Sequence, residues 1–217
     1  MIVDLNLQGK TVIVIGGGNE SEKRINSLIK QGCKIIVISD SVNSKINNLS
    51  KTKIITLKKR KIHDTKFMSE LKPNIIITTT DDRKINEKII KDAKKKNILV
   101  YSSDNPENSD FSNPAIMDFE KMIQIAIFTG GRSPMMSKKL KIKSEKIFQK
   151  IITKEDINQI KIQKIARGLA KETIPTQSQR RKYLQNIMSD NEIDQLIKDS
   201  QIKKAEKRAK AILENWK

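Results

Sequence analysis

Short apolar runs alternate with longer polar stretches along the first hundred residues. Each run is rich in β-branched residues and apolar along its length, which is typical of strands that are covered on both faces. The stretches between the runs carry apolar residues at helical spacing, as in 83–96. The pattern therefore predicts an α/β domain with a parallel sheet. Its five predicted strands lie at 11–15, 34–39, 53–57, 74–78 and 98–101.

The pattern changes after residue 102. Residues 102–112 are polar and predict a loop at the carboxyl edge of the sheet. The apolar runs at 115–117 and 122–128 predict a short antiparallel pair, which residues 118–121 join. Ser133 and Pro134 then begin a helix, because Ser is a favoured N-cap and Pro suits the first helical turn.

The remainder of the chain is helical in pattern. Breaks are expected near Thr153 and at 174–176, and the last helix is predicted over about 191–216. Apolar residues follow one stripe of that last helix. The region is too polar to hold together well alone, so we expect it to pack against a partner chain.

The composition limits the kind of protein that this can be. The 217 residues include 44 Lys and Arg against 25 Asp and Glu, a formal net charge of +19. No apolar run approaches the roughly 18 residues that a membrane span needs, and the first residues lack the pattern of a secretory signal. The single cysteine, Cys33, can form neither an internal disulfide nor a Cys-based zinc site. We therefore expect a cytoplasmic, soluble protein without a membrane segment or a resident metal.

The positive charge has more than one interpretation. Lysine supplies 36 of the 44 basic residues, and Ile and Asn are also abundant. An AT-rich coding sequence would produce this bias, so much of the charge can be compositional drift. Otherwise a basic surface binds a polyanion, either a small anionic substrate or a nucleic acid. Five Phe and two Tyr are few for a base-stacking platform, which argues against nucleic acid.

The first glycine cluster has the spacing of a dinucleotide-binding turn. Residues 16–21, Gly-Gly-Gly-Asn-Glu-Ser, fit G-x-G-x-x-A with Ser21 in the last small position. Gly16 permits the tight turn, Gly18 lets the backbone approach a pyrophosphate, and the following helix N-terminus offers free N–H groups. Asp40 lies 22 residues after Gly18, where a carboxylate binds a ribose diol and repels a 2′-phosphate. This favours NAD over NADP; the alternative is a glycine-rich turn without cofactor, with Asp40 as a capping residue.

Two further clusters carry candidate chemistry. Residues 130–134, Gly-Gly-Arg-Ser-Pro, combine two glycines, a guanidinium and a helix N-cap, which is the composition of an anion-binding nest. Their alternative is an ordinary connection between a strand and a helix. Asp104 follows the last parallel strand, so it could face a nicotinamide and act as a base. An Asp before Asn-Pro can equally be a turn residue.

Taken in order, these clusters resemble the precorrin-2 dehydrogenase family, which also forms the dehydrogenase and ferrochelatase module of sirohaem synthase. The resemblance is strong over about residues 5–150 and loose in the helical tail. The residues that carry it are 16–18 with Lys23-Arg24, Thr79-Thr80-Asp81-Asp82, Asp104-Asn105-Pro106 with Phe111 and Pro114, Gly130-Gly131-Arg132-Ser133-Pro134, and Arg180-Arg181-Lys182-Tyr183.

The resemblance implies a homodimer that oxidises precorrin-2 to sirohydrochlorin with NAD. By analogy, Asp104 is the catalytic carboxylate, which takes a proton as hydride leaves for the nicotinamide. The cofactor-binding set implied by motif and resemblance is Gly16, Gly18, Asn19, Glu20, Asp40, Ser41 and Thr80. The set expected to bind the substrate, with arginines for its many carboxylates, is Gly130, Gly131, Arg132, Ser133, Arg180 and Arg181.

The resemblance also sets the expected domains and leaves two questions open. It implies a Rossmann-type domain over 1–112, a dimerisation and linking segment over 113–150, and a helical domain over 151–217. Some members also insert Fe²⁺ into the product, and neither this activity nor the choice of Fe²⁺ or Co²⁺ follows from the sequence. Glu20 departs from the aliphatic residue usual in the family, and we expect no methyltransferase half of the kind found in fused sirohaem synthases.

Two rival functions remain at this point. An NAD-sensing regulatory module would bind NAD but would need neither Asp104 nor the cluster at 130–134. A basic nucleic-acid-binding protein would depend on the Lys-rich tail and on low salt.

Overall fold

The computed structural model describes residues 2–216 and divides the chain into two compact units. The first unit ends at Asn113 and the second begins at Pro114. The first unit is the predicted α/β domain, and the second holds an antiparallel strand pair followed by helices. The predicted fold class is therefore confirmed, while the functional division at residue 150 stays a prediction.

The first unit alternates strands and helices. Its elements are β1 Thr11–Ile15, α1 Asn19–Leu28, β2 Lys34–Ser39, α2 Ser44–Lys51, β3 Thr56–Lys59, α3 Phe67–Leu71, β4 Ile75–Thr78, α4 Arg83–Lys95 and β5 Leu99–Ser102. The five strands form one parallel sheet in the order β3-β2-β1-β4-β5. Central β1 pairs with both neighbours, so that Ile13 lies beside Ile36 of β2 and Ile76 of β4. A short 3₁₀ turn, Pro106–Asn108, follows the last strand.

Both faces of the sheet are covered, which explains why the interior positions of β1, β2, β4 and β5 are apolar. Alternate side chains of β1 point to opposite faces. Ile13 and Ile15 pack with residues of α3 and α4, whereas Val12 and Val14 pack with residues of α1 and α2. All four are at most 1% exposed. The layers thus leave the two ends of the sheet as the places where polar side chains can gather.

The predicted third strand begins three residues too early. Residue Lys53 has a left-handed backbone, with φ of 59°, which breaks the extended run. The N–H groups of Ile54 and Ile55 both donate to the carbonyl of Leu49, at 3.0 and 3.4 Å, and so close the end of α2. Ile54 is consequently exposed while Ile55 is buried, and the strand starts only at Thr56.

The second unit begins with a hairpin and continues as five helices. The hairpin turn is narrower than predicted, because Asp118 and Phe119 pair within β6 and only Glu120 and Lys121 take left-handed φ values. Among residues 2–216, no helix has the length and apolar character needed to cross a bilayer. The elements are β6 Ala115–Phe119, β7 Ile123–Ile127, α5 Pro134–Ile151, α6 Lys154–Thr173, α7 Gln177–Ser189, α8 Asn191–Lys198 and α9 Ile202–Glu214.

The prediction of one continuous helix over 191–216 is wrong. The chain turns at Ser200, whose φ is 57°, and the N–H of Gln201 donates to the carbonyl of Leu196 at 2.7 Å. The apolar stripe is therefore divided between α8 and α9, and both halves enter one core with α6 and α7. Fully buried Tyr183 lies in that core and donates its hydroxyl to the carbonyl of Ala209 at 2.8 Å.

The start of β3 can be tested by a pair of substitutions. A strand over 53–57 in this sheet would bury Ile54 and Ile55 on opposite faces, whereas the structure buries only Ile55. We expect Ile55→Ala to lower the free energy of unfolding by about 2–4 kcal/mol and Ile54→Ala by less than about 1 kcal/mol. Urea denaturation measures both, and equal losses would contradict the observed start of the strand.

Candidate active site

The glycine turn between β1 and α1 is pressed against its neighbours. Gly16 has a φ of 117°, and a Cβ there would lie 2.5 Å from the hydroxyl of Thr79. A Cβ on Gly17 would overlap the carbonyl oxygen of Ser41, and the carbonyl of Gly17 accepts from the N–H of Asn43 at 2.9 Å. The middle glycine, to which the motif assigns no role, is thus the one that close packing most requires.

The amino terminus of α1 is free to receive an anion. Its N-cap is Gly18, which offers no side-chain cap, whereas α2 and α4 are capped by the side chains of Asn43 and Asp82. A Cβ on Gly18 would meet nothing within 4 Å, so the surface beside the turn is open. The unpaired N–H groups of a helix start, facing open space beyond a glycine, fit a pyrophosphate.

Ser21 joins this helix to the sheet. Its side chain is fully buried, and its oxygen lies 2.6 Å from that of Thr79. Because Thr79 donates its own proton to the carbonyl of Ile15 at 2.9 Å, Ser21 must be the donor in the pair. The serine that replaces the usual alanine therefore holds α1 against the ends of β1 and β4.

A pocket of about 110 Å³ lies at the carboxyl ends of β1, β2 and β4. It brings together three of the predicted cofactor residues, namely Gly16, Asp40 and Thr80. One carboxylate oxygen of exposed Asp40 accepts from the N–H of Ser41 at 2.8 Å, and its other oxygen has no hydrogen bond within residues 2–216. That free oxygen suits a ribose diol. Ser41 itself contributes its backbone, through this N–H and through the carbonyl that faces Gly17.

Sequence reasoning missed a buried amide that shapes this pocket. Asn86 of α4 is fully buried and accepts the hydroxyl proton of Thr80 at 2.8 Å. Its amide nitrogen donates to the carbonyl of the same threonine at 2.9 Å. The two bonds fix the loop after β4. The available signal was a polar residue one place after Ile85 on the apolar face of a predicted helix.

The negative charge of Glu20, at the second position of α1, is compensated locally. Its carboxylate accepts from Arg24 at 2.5 Å and from Lys23 at 3.1 Å. Partial burial alone would raise the pKa of Glu20, but the hydrogen bonds and charges of Lys23 and Arg24 outweigh it and leave this pKa below its ordinary value. The carboxylate that Glu20 introduces in place of the usual aliphatic residue is thus neutralised by Lys23 and Arg24, one helical turn away.

Asp104 stands just beyond β5 on a chain of hydroxyl groups. The hydroxyl of Ser102 donates to its carboxylate at 2.5 Å, and Ser102 in turn lies 2.6 Å from the hydroxyl of Thr78. Since Ser102 has one proton and gives it to Asp104, Thr78 must be the donor in the second bond. Thr78 and Ser102 are both fully buried and neighbours across β4 and β5. The exposed carboxylate of Asp104 is therefore positioned by hydrogen bonds from buried hydroxyl groups of the sheet.

The predicted substrate residues belong to the second unit. Gly130 and Gly131 both have positive φ values, and Ser133 caps α5 by accepting from the N–H of Met136 at 3.2 Å. Part of the helix terminus is thus satisfied by its own serine. Arg132 is exposed, as is Arg181 of α7, while the side chain of Arg180 donates to the carbonyl of Pro175 at 2.8 Å.

The parallel sheet and the glycine turn define a dinucleotide-binding α/β protein. Residues 3–115 match the model of a family described as putative NAD(P)-binding, which is slightly more than half of the 217 residues. The chain belongs to this NAD(P)-binding family. The predicted class of cofactor is thereby confirmed.

The chain is also similar to named proteins. It is 28% identical over 198 residues to a putative precorrin-2 dehydrogenase of Methanocaldococcus jannaschii, covering 89% of this chain and 92% of that protein. It is 31% identical over 143 residues to a siroheme synthase of Hydrogenovibrio crunogenus, covering 65% of this chain and 30% of that protein. A siroheme synthase of Actinobacillus pleuropneumoniae is 24% identical over 214 residues, which are 97% of this chain and 42% of that protein.

A solved structure has the same fold. It is described as SirC, precorrin-2 dehydrogenase, and it matches with a TM-score of 0.70 and 23% identity over 95% of this chain and 99% of that one. The chain thus spans nearly the whole length of the Methanocaldococcus jannaschii relative and of SirC, but less than half of the two siroheme synthases. These similarities confirm the resemblance drawn from the sequence motifs.

Substitutions of Gly17 and Gly18 should separate stability from NAD binding, because a Cβ would meet backbone at Gly17 and open space at Gly18. Gly17→Ala should lower the free energy of unfolding by about 1–3 kcal/mol, because its Cβ meets backbone that cannot move aside. Gly18→Ala should leave stability within about 1 kcal/mol but weaken NAD binding, since its Cβ occupies the open space beside the helix terminus. Urea denaturation and NAD titration by fluorescence separate the effects. Unchanged NAD affinity in Gly18→Ala would show that the phosphates do not approach there.

Proposed function

We propose that this chain is an NAD-dependent dehydrogenase that oxidises precorrin-2 to sirohydrochlorin. The observation that carries the proposal is a carboxylate, Asp104, held by buried hydroxyl groups at the same sheet edge as the uncapped terminus of α1. The family match supports the cofactor. The similarity, over most of both chains, to the Methanocaldococcus jannaschii protein named a putative precorrin-2 dehydrogenase supports the substrate.

The cofactor site draws on the turn and on the strand ends. The N–H groups at Asn19 and Glu20 would bind the pyrophosphate, and the glycines at 16 and 18 would let it approach. The carboxylate of Asp40 would bind the ribose diol, and Thr80 would line the wall beside it. When bound, NAD supplies the hydride acceptor for the oxidation.

Asp104 would act as the base of the reaction. One of its oxygens is occupied by the proton of Ser102, and the other has no hydrogen bond within residues 2–216. The free oxygen would take the proton that leaves the macrocycle while the hydride, with its electron pair, leaves the neighbouring carbon. The bond from Ser102 would keep the carboxylate oriented until the proton transfers.

The second unit would supply the substrate contacts. We place the carboxylates of precorrin-2 near Arg132 and the backbone of Gly130, Gly131 and Ser133, with Arg180 and Arg181 as further partners. Guanidinium groups bind carboxylates through two parallel hydrogen bonds, which suits a substrate with many carboxylates. The free thiol of Cys33 and the use of NAD are consistent with action in the cytoplasm.

We further propose that the working form is a homodimer joined through α5 and the hairpin. Only Ser137 of the eighteen residues of α5 is buried. Met135, Ile142 and Ile147 are 84%, 55% and 58% exposed, and Phe128 at the end of the hairpin is 46% exposed. Large apolar side chains left exposed on an otherwise polar protein are characteristic of a subunit interface.

The catalytic role of Asp104 has a direct test. Asp104→Asn should lower kcat for sirohydrochlorin formation by about 10²–10⁴-fold while NAD binding stays unchanged. Glu107→Gln, an exposed carboxylate of the same loop, is the matched control and should keep full activity. Absorbance of precorrin-2 mixed with NAD and protein follows the reaction. If the wild type binds NAD but forms no sirohydrochlorin, the chain is an NAD-sensing module instead.

The interface on α5 also predicts a change of assembly. The double variant Ile142→Lys/Ile147→Lys should sediment as a monomer with its helical content unchanged, because burying two unpaired charges costs several kcal/mol. Lys139→Gln on the same helix should remain a dimer. Analytical ultracentrifugation at micromolar protein measures the outcome, and a monomeric wild type would contradict the proposal.

A further inference from the structure

A groove of about 520 Å³ runs between α6 and α7 within the helical unit. Four cationic side chains line it, Arg167 and Lys171 from α6 and Arg180 and Arg181 from α7, around an apolar floor that includes Ala170 and Leu184. No lining residue within 2–216 is acidic. The floor is fixed, because the side chain of Gln163 on α6 donates to the carbonyl of Leu184 on α7 at 3.1 Å.

None of the four groove cations has a carboxylate partner within residues 2–216, whereas three of the five arginines outside the groove have one. Arg24, Arg60 and Arg208 each pair with a carboxylate at 3.2 Å or less. Among residues 2–216, no carboxylate lies within 4.0 Å of the four groove cations. Like charges held close together without counter-charges repel one another, and a bound anion relieves this repulsion.

The use of arginine here is not explained by the composition of the chain. Of 44 basic residues only eight are arginine, and three of those eight line this groove. Compositional drift toward AT-rich codons produces lysine and removes arginine. Arginine differs from lysine in presenting a planar fork that binds a carboxylate through two bonds. Arg180 is also partly preset, since one nitrogen of its guanidinium donates to the carbonyl of Pro175 at 2.8 Å.

We propose that the α6–α7 groove is a binding site for the carboxylate-bearing edge of a tetrapyrrole, with Arg167 and Arg181 as its main anchors. The identity of the ligand rests on the function proposed above. A flat apolar macrocycle with carboxylates at its rim complements an apolar floor between cationic walls. Stacked nucleic-acid bases fit less well, because no aromatic side chain within residues 2–216 lines the groove.

The site can be tested on the full chain without NAD. The probe is uroporphyrin, an air-stable tetrapyrrole polycarboxylate, and its binding is followed by the shift of its Soret absorbance. Arg167→Gln/Arg181→Gln should raise Kd at least about tenfold, since each arginine makes charge-assisted hydrogen bonds. The melting temperature should stay the same or rise, because repulsion between unpaired cations is removed. A loss of stability would mean that the arginines serve the fold.

Lys203→Gln/Lys210→Gln on α9 is the matched control. Both lysines are exposed, outside the groove and without an ion pair within residues 2–216, and the change of net charge is the same. The control should bind uroporphyrin within about twofold of the wild type, since salt screens distant charges. An equal loss of affinity in both double variants would show attraction by net charge alone and would overturn the site. Tighter binding of a short oligothymidylate through Arg167 and Arg181 would overturn it as well.

The site and the proposed function fail in different ways. Groove-dependent binding of uroporphyrin with no sirohydrochlorin formed by the wild type would retain the site and remove the dehydrogenase. Sirohydrochlorin formation with an unchanged KM for precorrin-2 in Arg167→Gln/Arg181→Gln, together with unchanged uroporphyrin binding, would retain the dehydrogenase and remove the site. We expect a higher KM with little change in kcat, because the groove lies on a different unit from Asp104.

Discussion

The parallel direction of the five strands is the constraint on which the rest of the first unit depends. Parallel strands all end at one edge, and helices on both faces make the interior positions of β1, β2, β4 and β5 apolar, whereas the edge strand β3 carries Lys58 in its interior. In those four strands polar side chains can then appear only at the strand ends. In this chain they do so at Ser39, Thr78 and Ser102, the last residues of β2, β4 and β5. The polar side chains of the candidate site therefore lie at the carboxyl edge of the sheet, because the buried interior positions of these strands are apolar.

Hydroxyl groups at the strand ends connect the sheet to the glycine turn and to Asp104 through hydrogen bonds. Each serine or threonine has one proton, so a hydroxyl that donates to one partner can only accept from the next. Thr79 donates to a strand carbonyl and accepts from Ser21, which anchors the helix that starts at the glycine turn. Thr78 donates to Ser102, which donates to Asp104. Two short chains of hydroxyls, each with a single allowed direction, thus hold the turn and the carboxylate against one sheet.

The sequence was a good guide wherever the signal is local. The first two strands were predicted with the right bounds, because four successive apolar residues followed by a turn have few alternatives. The start of β3 and the break between α8 and α9 were missed. The first depends on Lys53 and the second on Ser200, and each takes a left-handed conformation without being glycine. The role of Gly17 was also missed, because it meets residues 41–43, which no spacing rule connects to the turn. The role of Asn86 was missed although its partner Thr80 is only six residues away, because a polar residue on an apolar helix face does not by itself name its partner.

The glycine-containing turns before α1 and α5 differ in whether a side chain accepts from the N–H groups at the start of the helix. This difference decides whether an anion can be bound by the backbone. At α1 the cap is a glycine with no side chain, so the backbone donors are left for a ligand. At α5 the hydroxyl of Ser133 accepts one of those donors itself. A phosphate can therefore be bound mainly by backbone in the first unit, where its position is fixed by the turn. Under the proposed function, carboxylates at the second unit would need side chains in addition to the backbone donors that remain, and arginine is the side chain suited to binding them.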